Sequence, residues 1–161
     1  MAHYTFPPGS AESVSGVTLP EYVVESGRAA YSFDDSSVEG IMFTIPELPA
    51  VSGDMNFTLI GYASGTSLSA VFDITTFDYS PSDAVAEGSF SAAAATWGNT
   101  SSLTMPVATN ASYQLSQETL VYTPANTTTG DYFSFKVERN TADGNDGAVG
   151  DFRIIGVTLT F

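Results

Sequence analysis

Hydrophobic and polar residues alternate along many short runs of this chain. In residues 132–139, Phe133, Phe135 and Val137 fall on one side of an extended backbone, and the residues between them are polar. Side chains of a β-strand point alternately to its two faces, so this pattern predicts a strand with one face in a core and the other in solvent. Similar runs recur between clusters of Gly, Pro, Asn, Asp and Ser, which favour turns.

Together the runs predict an all-β chain. Roughly eight to ten strands at this spacing are typical of a single-domain antiparallel β-sandwich, and we expect a jelly-roll-like arrangement. In the last run the alternation places four residues in the core: Ile155, Val157, Leu159 and Phe161. The predicted strands are residues 17–25, 28–33, 40–45, 55–63, 69–79, 101–108, 112–117, 118–122, 132–139 and 152–161.

Two prolines set the N-terminal segment apart from these runs. Tyr4 and Phe6 precede Pro7 and Pro8, whose fixed φ angle favours an extended chain. We therefore predict a short N-terminal arm over residues 1–13 and a β-sandwich over residues 14–161. Two interpretations of the arm remain open: its aromatic residues anchor it on a neighbouring protein, or it forms the first strand of its own sheet.

Length and charge narrow the range of functions. The 161 residues suffice for one domain, and a content of 43% hydrophobic and 14% charged residues is typical of a folded chain. The net charge of −14 leaves almost no cationic surface for phosphate groups, which excludes nucleic-acid binding. No apolar run is long enough to cross a membrane, and residues 1–10 lack the features of a signal peptide. We expect a soluble protein that binds no membrane and uses no common secretion signal.

The residue types present also exclude most catalytic chemistry. The chain has no Cys, a single His at position 3 and a single Lys at position 136, which excludes disulfides and thiolate sites and leaves little for a nucleophilic triad. A glycosidase needs two carboxylates about 5 to 10 Å apart. Nothing in the sequence brings together any two of the five candidate acids, which are Asp34, Asp35, Asp73, Asp78 and Asp83. We therefore predict neither enzymatic activity nor a cofactor.

One acidic loop has a weak likeness to a calcium site. Asp143, Asn145 and Asp146 offer oxygen atoms close together, and the glycines at positions 144 and 147 permit sharp turns. The loop lacks the Glu that closes an EF-hand. A polar hairpin loop explains the same residues by turn preference alone, and we favour that interpretation.

Trp97 is the one tryptophan of the chain. An aromatic face of this size stacks on the C–H face of a sugar ring, and a β-sandwich is a common carbohydrate-binding scaffold. A single Trp in a sandwich is more often a core residue or an interface anchor. Trp97 is therefore a candidate for a glycan site or an interface, with the second favoured.

The C-terminal third of the chain resembles a β-sandwich module of tailed-bacteriophage virion proteins. The likeness lies in residues 130–140, with the strand Phe-Ser-Phe-Lys-Val-Glu-Arg, and in residues 150–161, where Gly-Asp-Phe-Arg-Ile-Ile-Gly-Val runs to a terminal Phe. Residues 40–46 and 59–62 also match the module, with a strand on each side of a proline-rich turn. The resemblance implies a jelly-roll-like structural protein of a virion.

The resemblance implies a head decoration or cement protein, a head fibre, or a tail or baseplate appendage, and the small size of the chain favours the first. A compact sandwich without coiled-coil heptads or repeats suits a decoration or cement protein that binds the outer surface of the major capsid protein lattice and stabilises the head. We expect a homotrimer, with a dimer as the rival, because several copies bound together gain avidity. Tyr4, Phe6 and Pro7 are the candidate capsid contacts. The alternative is a host-glycan-binding head-fibre or tail and baseplate appendage.

Overall fold

A computed structural model describes residues 3–14, 16–49, 53–65, 69–79, 100–106, 115–123 and 132–161. Within these ranges the regular elements are strands. These ranges contain no helix that is long and apolar enough to span a membrane. The strands are β1 (His3–Phe6), β2 (Glu12–Ser13), β3 (Glu21–Glu25), β4 (Arg28–Phe33), β5 (Gly40–Ile45), β6 (Met55–Ala63), β7 (Ser69–Tyr79), β8 (Thr100–Pro106), β9 (Ser116–Tyr122), β10 (Tyr132–Arg139) and β11 (Phe152–Thr160).

The strands form two antiparallel sheets that pack face to face. One sheet has the order β3-β4-β11-β6-β9, with β1 also paired to β11. The other has the order β2-β5-β10-β7-β8. This architecture is an antiparallel β-sandwich of the jelly-roll type, which confirms the predicted fold class.

The core lies between the sheets and is built largely from phenylalanine rings. Phe133 and Phe135 of β10 are fully buried, as the alternation of that run predicts. The ring of Phe135 lies 4.9 Å from that of Phe57 on the opposite sheet. Ring pairs of this kind bury large areas of apolar surface. The alternate residues of each strand that face inward therefore account for the packing of the two sheets.

Strand β11 contains a bulge that the alternation does not reveal. Its register with β6 shifts between Ile154 and Gly156, so the inward-facing positions move by one residue at this point. Ile154 is buried at 2% exposure, whereas Ile155 is only half-buried. The predicted core position of Ile155 is therefore wrong. Before the bulge β11 pairs with β4, and after it with β1.

The segment predicted as an N-terminal arm contributes a strand to each sheet. Strand β1 pairs with β11, with His3 opposite Thr160 and Phe6 opposite Val157. Strand β2 pairs with β5. Of the two interpretations left open, the structure has the one in which this segment forms part of its own sheet.

Candidate functional site

Arg139, at the end of β10, is the centre of a buried network. Its side chain is fully buried, and all five N–H donors of its guanidinium have acceptors. Nε and Nη2 donate to the two carboxylate oxygens of Asp146 at 3.1 and 3.0 Å. The other three donate to the backbone carbonyls of Phe33, Gly150 and Ala148 at 3.1, 3.1 and 3.0 Å. A buried charge requires a complete set of hydrogen-bond partners, and this arginine has such a set.

This Arg139 network also accounts for the loop considered for calcium. Asp146 binds the guanidinium and accepts the backbone N–H of Val71 at 3.0 Å. Asp143 accepts hydrogen bonds from the backbone and side-chain N–H groups of Asn145 at 2.8 and 3.0 Å. Among the described residues, no group of three acidic or histidine side chains is arranged to hold a metal ion. Oxygen ligands of the kind that calcium prefers surround a guanidinium of the chain itself.

The residues predicted to contact a capsid lie in and directly after β1. The ring of Phe6 packs 5.0 Å from that of Phe43, and the ring of Tyr4 lies 6.0 Å from that of Phe161. Both side chains are half-buried, and Pro7 is exposed. The two rings thus pack within the sandwich, and their contact with a capsid stays a prediction.

Of the candidates Trp97, Asp73, Asp78 and Asp83, the structure describes the side chain of Asp73. Trp97 and Asp83 fall outside the described residues, as does the side chain of Asp78. Asp73 lies on the outer face of the five-stranded sheet and accepts hydrogen bonds from Ser102 at 2.7 Å and Asn140 at 2.9 Å. Its cross-strand neighbour on β10 is Glu138, whose carboxylate forms an ion pair with Lys136.

Asp34 and Asp35 are used to hold a loop together. Asp34 accepts the backbone N–H of Ser36 at 2.6 Å, and the hydrogen bonds from Ser36 lower the pKa of that carboxyl. Asp35 accepts the backbone N–H of Gly150 at 2.6 Å. Nearby, Glu39 accepts the backbone N–H of Asp34 at 2.7 Å, and burial raises the pKa of Glu39. These hydrogen bonds give the acids a structural role.

A cleft on the six-stranded sheet brings together residues that the sequence analysis did not single out. It has a volume of about 490 Å³. Its lining residues are Glu25, Ser26, Arg28, Tyr62 and Leu115. They combine an aromatic ring, an aliphatic side chain, a hydroxyl, a carboxylate and a guanidinium, which is the mixture that small-ligand sites use for affinity and orientation.

A tight hairpin places one wall of this cleft. Strands β3 and β4 are joined by Ser26 and Gly27, which have positive φ angles of 50° and 76°. This conformation is typical of a two-residue turn that matches the twist of the flanking strands. Glu25 and Arg28 are therefore opposite each other in the ladder, with their side chains on the same face of the sheet.

Glu25 is fixed by two neighbours. Its Oε1 lies 3.1 Å from Nη2 of Arg153, and its Oε2 accepts a hydrogen bond from the Tyr62 hydroxyl at 3.3 Å. The guanidinium of Arg153 also lies over the Tyr62 ring, 5.8 Å from the ring centroid. Tyr62 is only 7% exposed, and the mutual contacts of these three side chains hold Glu25 and Tyr62 in place at the cleft. Leu115, at 49% exposure, supplies the accessible apolar surface.

The chain has few cationic residues, and they differ in whether a carboxylate pairs with them. Lys136 pairs with Glu138, Arg139 with Asp146 and Arg153 with Glu25. Arg28 is exposed, and no carboxylate of the described residues lies within ion-pair distance of it. Arg28 thus lines the cleft without an ion-pair partner in the described part of the chain, and Arg153 contacts two of the lining residues, Glu25 and Tyr62.

The cleft could not be assembled from sequence alone. Its members come from β3, β4 and β6 and from the residue before β9, with no motif that joins them. The available signals were the Ser26-Gly27 pair between two alternating runs, which favours a hairpin, and the scarcity of cations, which makes Arg28 conspicuous.

The chain is similar in fold to several solved carbohydrate-binding modules. A family 36 module (CBM36-1) of a multidomain xylanase from the hindgut metagenome of Trinervitermes trinervoides matches with a TM-score of 0.59 and 14% identity, over 99% of this chain and 98% of that chain. The C-terminal family 6 module of a marine laminarinase from Zobellia galactanivorans matches with a TM-score of 0.57 and 11% identity, over 99% and 100%.

A family 35 carbohydrate-binding module from an environmental isolate gives a third match, with a TM-score of 0.53 and 16% identity over 98% of this chain and 93% of that chain. No protein-family model and no curated protein sequence matches the chain. At these identities the likeness establishes a shared fold over nearly the whole of each chain.

Proposed function

We propose that this protein is a carbohydrate-binding protein without catalytic activity, and that the glycan binds in the cleft between the β3–β4 hairpin and Leu115. The observation that carries the proposal is the cleft itself, in which apolar surface adjoins a carboxylate, a hydroxyl and a guanidinium. The full-length likeness in fold to three domains described as carbohydrate-binding modules supports it.

The chemistry of the cleft fits a sugar. A sugar ring has C–H faces that pack on apolar side chains, and hydroxyls that donate and accept hydrogen bonds. Leu115 offers apolar surface, while Ser26 and Arg28 offer polar groups beside it. Glu25 and Tyr62 hydrogen-bond to each other, so they are held in place before a ligand arrives.

Binding without hydrolysis follows from the placement of the acids. Glycoside hydrolysis needs two carboxylates that flank the scissile bond. Among the lining residues of the cleft, Glu25 is the one carboxylate, and it is engaged by Arg153 and Tyr62. We therefore propose a binding role alone.

In a virion, such a protein would act as a host-glycan-binding appendage on a head fibre, tail or baseplate. Decoration of the outer capsid surface through the major capsid protein, and assembly as a homotrimer, remain predictions of the sequence resemblance. The burial of the Tyr4 and Phe6 rings against the core of the same chain leaves less of their surface for a capsid contact.

The test is a glycan array followed by titration calorimetry on the glycans that bind. Leu115→Ser should weaken binding about fivefold or more, because a buried aliphatic contact contributes roughly 1 to 3 kcal/mol. Val121→Ser is the matched control, since Val121 is also an exposed aliphatic residue but lies six positions further along the chain, outside the cleft lining. Absence of binding to any glycan, or an equal loss in both variants, would contradict the proposal.

A further inference from the structure

We infer that the glycan bound in this cleft is an acidic saccharide, and that Arg28 binds its carboxylate. The inference rests on the proposed function and narrows it to a class of ligand: a sugar chain with an acidic residue, such as a uronic or sialic acid, among neutral ones.

The first step of the argument is the distribution of positive charge. The chain has 4 cationic and 18 acidic residues, so an unpaired cation is unusual on its surface. Lys136, Arg139 and Arg153 each have a carboxylate partner. Arg28 has none among the described residues, and it lines the cleft. A guanidinium left without a partner beside a cavity is well suited to a carboxylate brought by a ligand.

The second step is the geometry around Glu25. Glu25 faces Arg28 across the two-residue turn and would be its natural partner. Its two carboxylate oxygens are instead bound by Arg153 and by the Tyr62 hydroxyl. Glu25 is therefore a positioning residue. Its charge is paired with that of Arg153, and no carboxylate of the described residues lies within ion-pair distance of Arg28.

The third step concerns how much charge the ligand carries. The net charge of −14 repels polyanions at distances up to about the Debye length of 8 to 10 Å. The attraction at Arg28 is local and comes from one guanidinium. A ligand with a single acidic residue gains this contact with little of the general repulsion, whereas a densely charged polymer such as heparin experiences all of it.

The experiment compares each acid with its own methyl ester. The probes are oligosaccharides that end in glucuronic acid, galacturonic acid or N-acetylneuraminic acid, each paired with the ester, which keeps the shape and removes the charge. The best acid should bind about three- to fivefold more tightly than its ester, because Arg28 is exposed and its ion pair with the ligand stays partly open to water. Heparin oligosaccharides should bind more weakly than that acid.

Two variants with the same change in net charge assign the effect to Arg28. Arg28→Gln should remove the difference between acid and ester. Lys136→Gln lies on the other sheet and should preserve it. Thermal melting of both variants checks that they are folded.

The outcomes separate this inference from the proposed function. Preference for the acid that disappears in Arg28→Gln alone supports both. Equal binding of acid and ester, or binding of neutral glycans only, overturns the acidic ligand and leaves glycan binding in place. No binding to any probe or array glycan overturns both proposals.

Discussion

This protein has two arginine clusters, one buried around Arg139 and one exposed at the cleft, and they differ in what the guanidinium groups bind. The guanidinium of Arg139 is buried and has five acceptors, all supplied by the chain. At the cleft, Arg153 pairs with a Glu25 that is 38% exposed, and Arg28 has no carboxylate partner among the described residues. A buried charge with every donor used holds a structure together, whereas an exposed one with donors to spare is available to a ligand.

The largest effect is expected at the buried cluster. Asp146→Asn keeps the shape of the side chain and removes its charge, which leaves the Arg139 guanidinium buried without a counter-ion. Breaking a buried ion pair in this way costs about 3 to 5 kcal/mol of unfolding free energy. Urea denaturation measures it.

A double variant sharpens the same point. Arg139→Met combined with Asp146→Leu removes both charges, so it should be less destabilising than Asp146→Asn alone. If the single and double variants lose the same stability, the contact is packing rather than charge.

A smaller effect, with the opposite sign, is expected beside the Arg139 cluster. Burial raises the pKa of Glu39 above its ordinary value of 4.5. The backbone hydrogen bond from Asp34 and the charge of Arg139 oppose this rise, and the charges of Asp34 and Asp151 add to it. Above the raised pKa, Glu39 is charged in both states, and the folded state carries the cost of burying that charge. As the pH falls through the raised pKa towards 4.5, the folded protein is protonated first, and the contribution of Glu39 to stability increases.

Glu39→Gln should therefore melt at a higher temperature than the parent chain at neutral pH. Its amide oxygen still accepts the hydrogen bond from the Asp34 backbone. The difference should shrink as the pH is lowered through the raised pKa towards 4.5, because the parent side chain is then neutral as well. Melting curves across this range measure the effect, and a constant difference would contradict the assignment.

The smallest change is expected at the cleft. Glu25→Gln is the counterpart of Asp146→Asn, but its ion pair with Arg153 is partly open to water. Such pairs contribute about 0 to 1 kcal/mol, so the variant should unfold at nearly the same urea concentration as the parent. A loss close to that of Asp146→Asn would remove the distinction between the two clusters.

The local pattern predicted much of the fold. The bounds of β4, β5, β6, β7 and β10 match the predicted runs, because each run is bounded by turn-forming residues. The pattern divided β9 (Ser116–Tyr122) between two predicted strands, although the alternation continues through Gln117 and Glu118. It also missed the bulge at Ile155, since an extra residue in one strand is defined by its partner strand and not by its own sequence.

The two clusters differ in how much of each could be predicted from the sequence. Arg139 continues the inward alternation of Phe133, Phe135 and Val137, and Asp146 follows seven residues later, so the buried pair had a readable signal. The three carbonyl acceptors had none, because any residue has a carbonyl. The cleft depends on residues up to 90 positions apart, Glu25 and Leu115, which only the arrangement of the strands brings together.

The pairing of β1 with β11 has a consequence for attachment. His3 lies opposite Thr160, so any tether joined before β1 or after β11 leaves the sandwich at one end. Thr160 neighbours Asn56 on β6, whereas the cleft lies near Tyr62, about 20 Å along that strand. A copy tethered through either of these strands would present the cleft at the end away from the tether. This is the orientation needed to reach a glycan on a facing surface.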